Sequence, residues 1–345
     1  MSSNYTVRSL LDDPESLEPA WNRFVEAHPK GSIFHTSEMV RTFHSAKGHR
    51  PLPLAAVDLS GEILALLVAV RVQTLPGPMG RLSSRSILYA EPLCCDGDEG
   101  AAALTQLIAR HDFEMVKQVL FTEVRPCSPP GAERRALEQC GYVQMEYLNH
   151  VVDVTKPCNE LWLDLDRTVR GAIRQCEQRG IQIGRVDSAT AVDQLYPLLK
   201  LSFAHAKVPL ADRSLFDAAF AELHQNGRIL AFAAYLGDTP VAIDLLLTFK
   251  DRVLVWYAGV QRIRGVSPCS HLRWFELRWA HDNGFSVYDS GGAGQPDVPY
   301  GVRKFKSKFG GRLVQYGRYR RVNSPWRLAI AERAYELNRR FHLIR

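Results

Sequence analysis

Two stretches of the chain, AAVDLSGEILALLVAV at residues 55–70 and AAYLGDTPVAIDLLLT at 233–248, share one pattern. Each reads as an apolar strand, a turn built on glycine and an acidic residue, and a second apolar strand. A hairpin repeated about half a chain apart constrains the fold more than any other feature, because it points to a duplicated domain. The length of 345 residues agrees: at roughly 150 residues per domain, each half can bury its own core. The boundary is expected near Val154-Thr155-Lys156-Pro157. That gives a first domain over 1–155, a second over 156–322, and a basic amphipathic helix over 323–345 whose expected role is packing across the domains.

Hydrophobic periodicity fills in the two halves. The first opens with a helix over 17–27, followed by strands over 52–59 and 63–72 joined at Ser60-Gly61-Glu62. A Pro/Gly loop spans 75–80, and a short strand 87–89. A helix over 100–116, a strand over 119–124 and a helix over 131–139 follow. The second half predicts helices over 165–179, 191–206 and 214–226. A meander of three strands (229–236, 241–249, 253–260), a helix over 268–283, a strand over 285–289, a Gly/Pro loop over 290–301 and a last strand over 312–319 complete it.

Several chemistries are excluded by what the chain lacks. The seven cysteines form no CxxC pair and are odd in number, and the eleven histidines show no HExxH spacing. A disulfide framework or a metal site is therefore not expected. There is no GxSxG elbow and no GxxxxGK[ST] loop. The longest apolar run, 63–70, suits a buried strand, whereas a membrane span needs about 20 residues. With no apolar leader in MSSNYTVRSLLDD, a cytoplasmic location is expected. The net charge is +6, but residues 298–331 contain no acidic residue and nine of the basic ones, a block that attracts phosphates or forms a solvated face.

Three constellations carry candidate chemistry. In YDSGGAGQPDVPYGVRKFKSKFGG (288–311), Gly291, Gly292 and Gly294 follow a strand ending at Asp289 and permit close backbone approach. Tyr300, Lys304, Lys306 and Lys308 then add donors and charge. In an extended chain the three lysines project to one side, with Phe305 and Phe309 on the other. The arrangement reads as a cationic wall around a leaving group or oxyanion. In QRIRGVSP (261–268), Arg262, Arg264, Gly265 and Ser267 precede a helix start, which offers free N–H groups to an anion or is an ordinary capped start. In DRTVRGAIRQCEQRG (166–180), Arg167, Arg170 and Arg174 share a helical face that suits a phosphorylated substrate or simply water.

Taken with VRGAIRQCEQRGIQI, the meander and LRWFELRWAHDNGF, the ending YDSGGAG…YGVRKFKSKFGG resembles the FemAB-like transferases over about residues 17–320. The resemblance implies an α/β fold with mixed sheets in two tandem GNAT-like acyltransferase domains. It also implies transfer of an aminoacyl group from aminoacyl-tRNA to an amine such as that of a cell-wall precursor. Lys306 would lie near the transfer site, and Arg170 and Arg174 on a substrate-side helix. The GNAT loop [QR]xxGx[GA] is matched here only as Arg262-Ile263-Arg264-Gly265-Val266-Ser267, with serine in the last small position, and no charged coiled-coil arm is inserted.

The expected co-substrate is thus aminoacyl-tRNA or acyl-CoA, with no tightly bound cofactor. The expected acceptor is a phosphorylated sugar or cell-wall precursor. DNA is not an expected partner, and membrane contact is at most peripheral. Lys306 and loop N–H groups are assigned to the oxyanion, and Asp289 to the amine proton. Two other readings stay open: an acyl-CoA-dependent N- or O-acetyltransferase acting on a polysaccharide precursor, and a non-catalytic RNA-binding or scaffold protein on the same fold.

Overall fold

A computed structural model describes residues 5–74, 80 and 83–341; most of the Pro/Gly loop expected at 75–80, and residues 342–345, lie outside the described residues. In chain order the first elements are β1 (Tyr5–Ser9), α1 (Pro14–Ala27), α2 (Ser37–Ser45), β2 (His49–Asp58), β3 (Ile63–Gln73), β4 (Ser84–Leu88) and β5 (Leu93–Cys94). Then come α3 (Asp98–Met115), β6 (Phe121–Val124), α4 (Ala132–Gln139), β7 (Val143–Met145), β8 (Leu148–Asp153), α5 (Cys158–Asp164), α6 (Arg167–Gln178) and β9 (Ile181–Arg185). The remainder is α7 (Ser188–Ala206), α8 (Arg213–Leu223), β10 (Ile229–Leu236), β11 (Thr239–Phe249), β12 (Arg252–Val260), α9 (Pro268–Asp282), β13 (Val287–Gly294), α10 (Gly301–Lys306), β14 (Arg312–Gln315), β15 (Arg318–Val322) and α11 (Pro325–Phe341).

Local chemistry explains many of these limits. Asp166 Oδ1 accepts the Thr168 N–H at 2.7 Å and starts α6, and Asp187 and Asp212 cap α7 and α8 in the same way. The first helix starts earlier than its periodicity suggested, because Asp13 caps it and Pro14 fits the first turn.

The chain forms two compact units, residues 1–146 with 316–345, and residues 147–315. The first sheet runs β1-β2-β3-β4-β6-β15-β7, with β5 also pairing β3. The second runs β9-β10-β11-β12-β13-β8-β14 when read in the same direction. The two orders correspond position by position. The repeated hairpins, β2–β3 and β10–β11, hold the same places, and a parallel pair falls in the same place in each, β4–β6 and β12–β13. Each parallel pair needs a crossover, supplied by α3 and α9. The core of the first unit gathers Leu54, Leu67, Leu104, Leu107, Val124 and Tyr319. That of the second gathers Ile173, Phe232, Leu246, Leu272, Leu277 and Tyr288.

The units differ from the expected division in one instructive way. The sixth position of each sheet is filled from a distant part of the chain: β8 joins the second sheet, and β15 the first. The single strand expected over 312–319 is therefore two, β14 and β15, in different sheets. The break falls at Gly317, whose φ of +76° is left-handed and turns the chain out of strand geometry.

Charge holds β15 in place. Its Arg318 and Arg320 reach the Glu123 carboxylate on β6 at 3.1 and 2.7 Å, Arg125 joins them at 2.8 Å, and Arg321 meets Asp112 of α3 at 2.5 Å. Burial pushes the Glu123 carboxyl up, but the three guanidiniums outweigh it and bring it down to about 2. A depressed carboxyl stabilises the fold above its unfolded value and loses that contribution as pH falls through the folded one. A shift of this size is worth about 3 kcal/mol. The urea midpoint is therefore expected to fall between pH 5 and pH 2, and Glu123→Gln is expected to flatten that dependence while lowering stability at pH 7.

Candidate functional site

The site is built where β12 and β13 part. They pair through Arg252↔Val287, Val253↔Tyr288 and Leu254↔Asp289 only. Beyond that point β12 stays with β11 as far as Val260↔Ala242, and β13 stays with β8 as far as Gly294↔Leu148. The result is a notch between two strand edges whose backbone groups are not joined in a ladder. A bulge in β12 lies beside it: Val255 and Tyr257 face consecutive residues of β11, which leaves Trp256 as the extra residue.

Lys306 occupies the mouth of this notch. Its Nζ donates to the Gly292 carbonyl at 2.8 Å. A Cβ on Gly291 would stand 3.8 Å from that Nζ and 3.7 Å from the Val255 carbonyl of the facing strand, so ammonium and both edges converge on one point. Burial, and then the nearby Arg273 guanidinium, push the Lys306 amine down to about 8, against the opposing pull of Asp289 and Asp244. A lysine with that affinity carries its charge at neutral pH and gives up a proton within reach of it.

Asp289 is 1% exposed. One carboxylate oxygen accepts the Gly291 N–H at 2.7 Å and the other accepts from Arg252 at 2.9 Å. The first bond fixes Gly291 at its φ of +78°, the turn that opens the loop toward Lys306. Burial pushes the carboxyl up despite Arg252.

Residues 301–309 are not extended, contrary to the alternation expected for the three lysines: α10 runs straight into a 3-10 turn, Ser307–Phe309. Helical spacing sends Lys306 inward while Lys304 and Lys308 stay exposed. Phe305 and Phe309 meet edge to face at 5.0 Å, which anchors the turn as expected, although by i, i+4 contact. Tyr300 sits at the start of α10 beside Gly294. Arg303 donates to the carbonyls of Gln295 and Val298 at 2.5 and 2.7 Å and closes the loop.

The other two constellations fall elsewhere in the same unit. Arg262, Arg264, Gly265 and Ser267 form the link from β12 to α9. Gly265 takes a φ of +82°, and Arg262 donates to His205 of α7 at 2.5 Å. Ser267 makes no side-chain cap to its helix and contacts Ser270 Oγ at 2.9 Å. On α6 the stripe divides. Arg170 turns back to the Leu163 and Leu165 carbonyls, at 3.0 and 2.6 Å, and closes the end of α5, while Arg167 and Arg174 remain exposed. Lys308 donates to Thr168 at 3.1 Å, which brings the α10 segment to the start of α6.

The acid-free block is consequently not one cationic surface. Arg303 and Lys306 bind carbonyls, and Arg318, Arg320 and Arg321 are paired with Glu123 and Asp112 in the other unit. The phosphate-attracting face expected over 298–331 is reduced on this count.

The sequence reading missed a buried network beside the notch. Arg273 of α9 reaches Asp244 of β11 and the Tyr288 hydroxyl of β13, both at 2.7 Å, and Tyr288 donates to Glu276. All four are at most 7% exposed. Burial pushes both Asp244 and Glu276 up, Glu276 well above the usual carboxylate range. The available signal was an aspartate inside the apolar run VAIDLLLTF, and a charged pair at i, i+3 on the core face of a helix. The first unit holds a Ser86–His111–Asp112 chain, at 2.9 and 3.0 Å. Ser86 is 0% exposed, so this reads as core hydrogen bonding rather than a nucleophile. A groove of about 730 Å³ lined by Asp153, Lys156, Asp164, Ser286 and Arg312 lies at the other end of β13 and includes none of the expected site residues.

Residues 164–306 match the family model of the acetyltransferase (GNAT) domain, so the second unit carries a domain of that class, and acyl transfer is the class of reaction. The chain as a whole has a fold shared with solved tandem GNAT proteins. It is similar to the crystal structure of FemX, with a TM-score of 0.66 at 15% identity over 93% of this chain and 98% of that one. It is also similar to the C-terminal domain of a putative lysylphosphatidylglycerol synthetase from Agrobacterium fabrum (0.58, 14%, 94% and 97%). A tandem GNAT protein from the clavulanic acid biosynthesis pathway aligns at 0.57 and 11% identity, over 93% and 99%. No curated protein sequence matches the chain. Among the described residues no helix is long and apolar enough to cross a membrane.

Proposed function

We propose that the chain transfers an aminoacyl group from aminoacyl-tRNA to an amine acceptor at the notch between β12 and β13, as in FemAB-type chemistry. The observation that carries this reading is Lys306, an inward-facing cation at the meeting point of two free strand edges. Attack of an amine on an acyl carbon needs alignment and a donor for the oxyanion. The protonated Lys306 supplies that donor, and the open strand edges align the acyl group. Asp289 acts as a positioning residue, because both its oxygens are already engaged. Exposed Arg167, Arg174, Lys304 and Lys308 on α6 and the α10 segment suit the phosphates of an RNA donor. A cell-wall precursor is the acceptor class that the likeness to FemX suggests.

The second reading, transfer from acyl-CoA, is favoured by the GNAT domain match and by the Arg262–Ser267 link. That link delivers the positive end of α9 directly after the strand that borders the notch. Incubation with labelled aminoacyl-tRNA or labelled acetyl-CoA and a pool of amine acceptors separates the two. Transfer from tRNA abolished by ribonuclease supports the first. Transfer from acetyl-CoA that ignores ribonuclease replaces it with the second. Salt-sensitive tRNA binding with no transfer from either donor overturns catalysis altogether.

A further inference from the structure

An amine that attacks an acyl carbon must also lose a proton, and Asp289 has both oxygens engaged. Another titratable group lies beside the notch. His150 of β8 is 1% exposed and Ser290 of β13 is 6% exposed. Between the rungs Val151↔Asp289 and Asn149↔Gly292, two residues of β13, Ser290 and Gly291, face the single residue His150. A bulge of this kind re-aims side chains next to a site. Ser290 is also the first residue of β13 past its last rung with β12, so it stands on the edge that borders the notch. His150 Nε2 lies 2.8 Å from the Gly310 carbonyl, which can only accept, so Nε2 carries the hydrogen. In the neutral ring Nδ1 is then a lone-pair acceptor, and the Ser290 hydroxyl, 3.3 Å away, is its donor. Loose contacts of this sort tighten once a substrate fills the site.

From this geometry we infer that Ser290 and His150 form the relay that carries the proton from the attacking amine to the leaving group. The relay requires acyl transfer at the notch, as proposed above, and serves either donor. As the new C–N bond forms, the amine gives its proton to Ser290 Oγ, whose own proton passes to His150 Nδ1. The imidazolium then returns a proton through Ser290 to the departing ribose oxygen or thiol sulfur, as the bond from the acyl carbon to that atom breaks. No further reactant is needed. The charged groups that act on His150 are two cations, Lys306 of α10 and Arg273 of α9. Burial, joined by these cations, holds the imidazole below its usual value against the pull of the Gly310 carbonyl. His150 is therefore neutral and able to accept at pH 7, and its charged form, placed beside two cations, readily hands the proton on. Lys306 keeps its place at the oxyanion, so charge stabilisation and proton transfer fall to different groups.

The test joins nitrogen NMR of the full chain, labelled at histidine, to kinetics with labelled aminoacyl-tRNA and labelled acetyl-CoA. The spectra are expected to show one imidazole, missing in His150→Gln, that is the Nε2–H tautomer and whose Nδ1 resonance moves in Ser290→Ala. With the donor that the wild type uses, Ser290→Ala and His150→Gln are each expected to lower kcat about 100-fold with KM little changed. The double variant is expected to be no slower than the slower single one, because the two residues act as a unit. Glutamine keeps a donor for the Gly310 carbonyl, and an unchanged melting temperature for Ser290→Ala shows that the fold is intact. An Nδ1–H tautomer, undiminished kcat in Ser290→Ala, or losses that multiply in the double variant overturn the relay and leave acyl transfer standing. Wild-type protein that transfers from neither donor removes acyl transfer and the relay together.

Discussion

Lys306→Met is expected to leave the protein folded and lower kcat by about 100-fold or more, the usual cost of removing one oxyanion donor. The side chain of methionine fills much the same space, so the loss reports the charge and the hydrogen bond to developing negative charge. The pH profile gives a second readout. Burial and Arg273 bring the Lys306 amine down to about 8. A reaction that needs the protonated form runs at full rate below that pH and loses about tenfold per pH unit above it. Lys306→Arg does not titrate in that range, so it is expected to lose this basic limb, whatever its absolute rate. A wild-type rate that instead rises through pH 8 would make Lys306 a base, and undiminished turnover in the methionine variant would remove it from the reaction.

Removing Arg273 is expected to have the largest effect on stability. Its guanidinium ties α9 to β11 and β13 through Asp244 and Tyr288. Arg273→Met leaves Asp244 without its partner in the core, and breaking a buried pair in this way typically costs 3–5 kcal/mol, or about a whole domain's margin in the worst case. The urea midpoint is the measurement. Asp244→Leu in the same background is expected to recover part of the loss, because it removes the stranded carboxylate, and a double-mutant cycle gives the coupling. The same variant also tests the link to the site: without Arg273 the Lys306 amine is expected to titrate higher, moving the basic limb of the rate profile upward. A merely structural Arg273 would lower the midpoint and leave that limb where it was.

Some of this arrangement was legible before any fold was known. The repeated hairpin announced duplication because a strand, a glycine-acid turn and a strand are all local. The β10–β12 meander and α9 were readable for the same reason. The glycines after Asp289 and the Phe-Lys pair drew attention to the segment that lines the notch. The geometry inferred for that segment was wrong in one respect, since alternation was assumed where the chain makes helical turns. The three lysines consequently separate, with one inside and two outside.

What the sequence by itself determined was the set of local elements, the duplication, and the segment from Asp289 to Lys306 as a place where backbone, cation and loop meet. Only the tertiary structure decided which strand completes which sheet. Nothing within residues 148–153 or 318–322 marks a strand for one unit or the other, because partner choice rests on pairing and on charges such as Glu123 that are distant in the chain. The same holds for Arg170, Arg320 and Asp244. Whether a charged side chain faces water, closes a helix end or is sealed in a core depends on what the fold brings against it, and residue spacing carries no record of that.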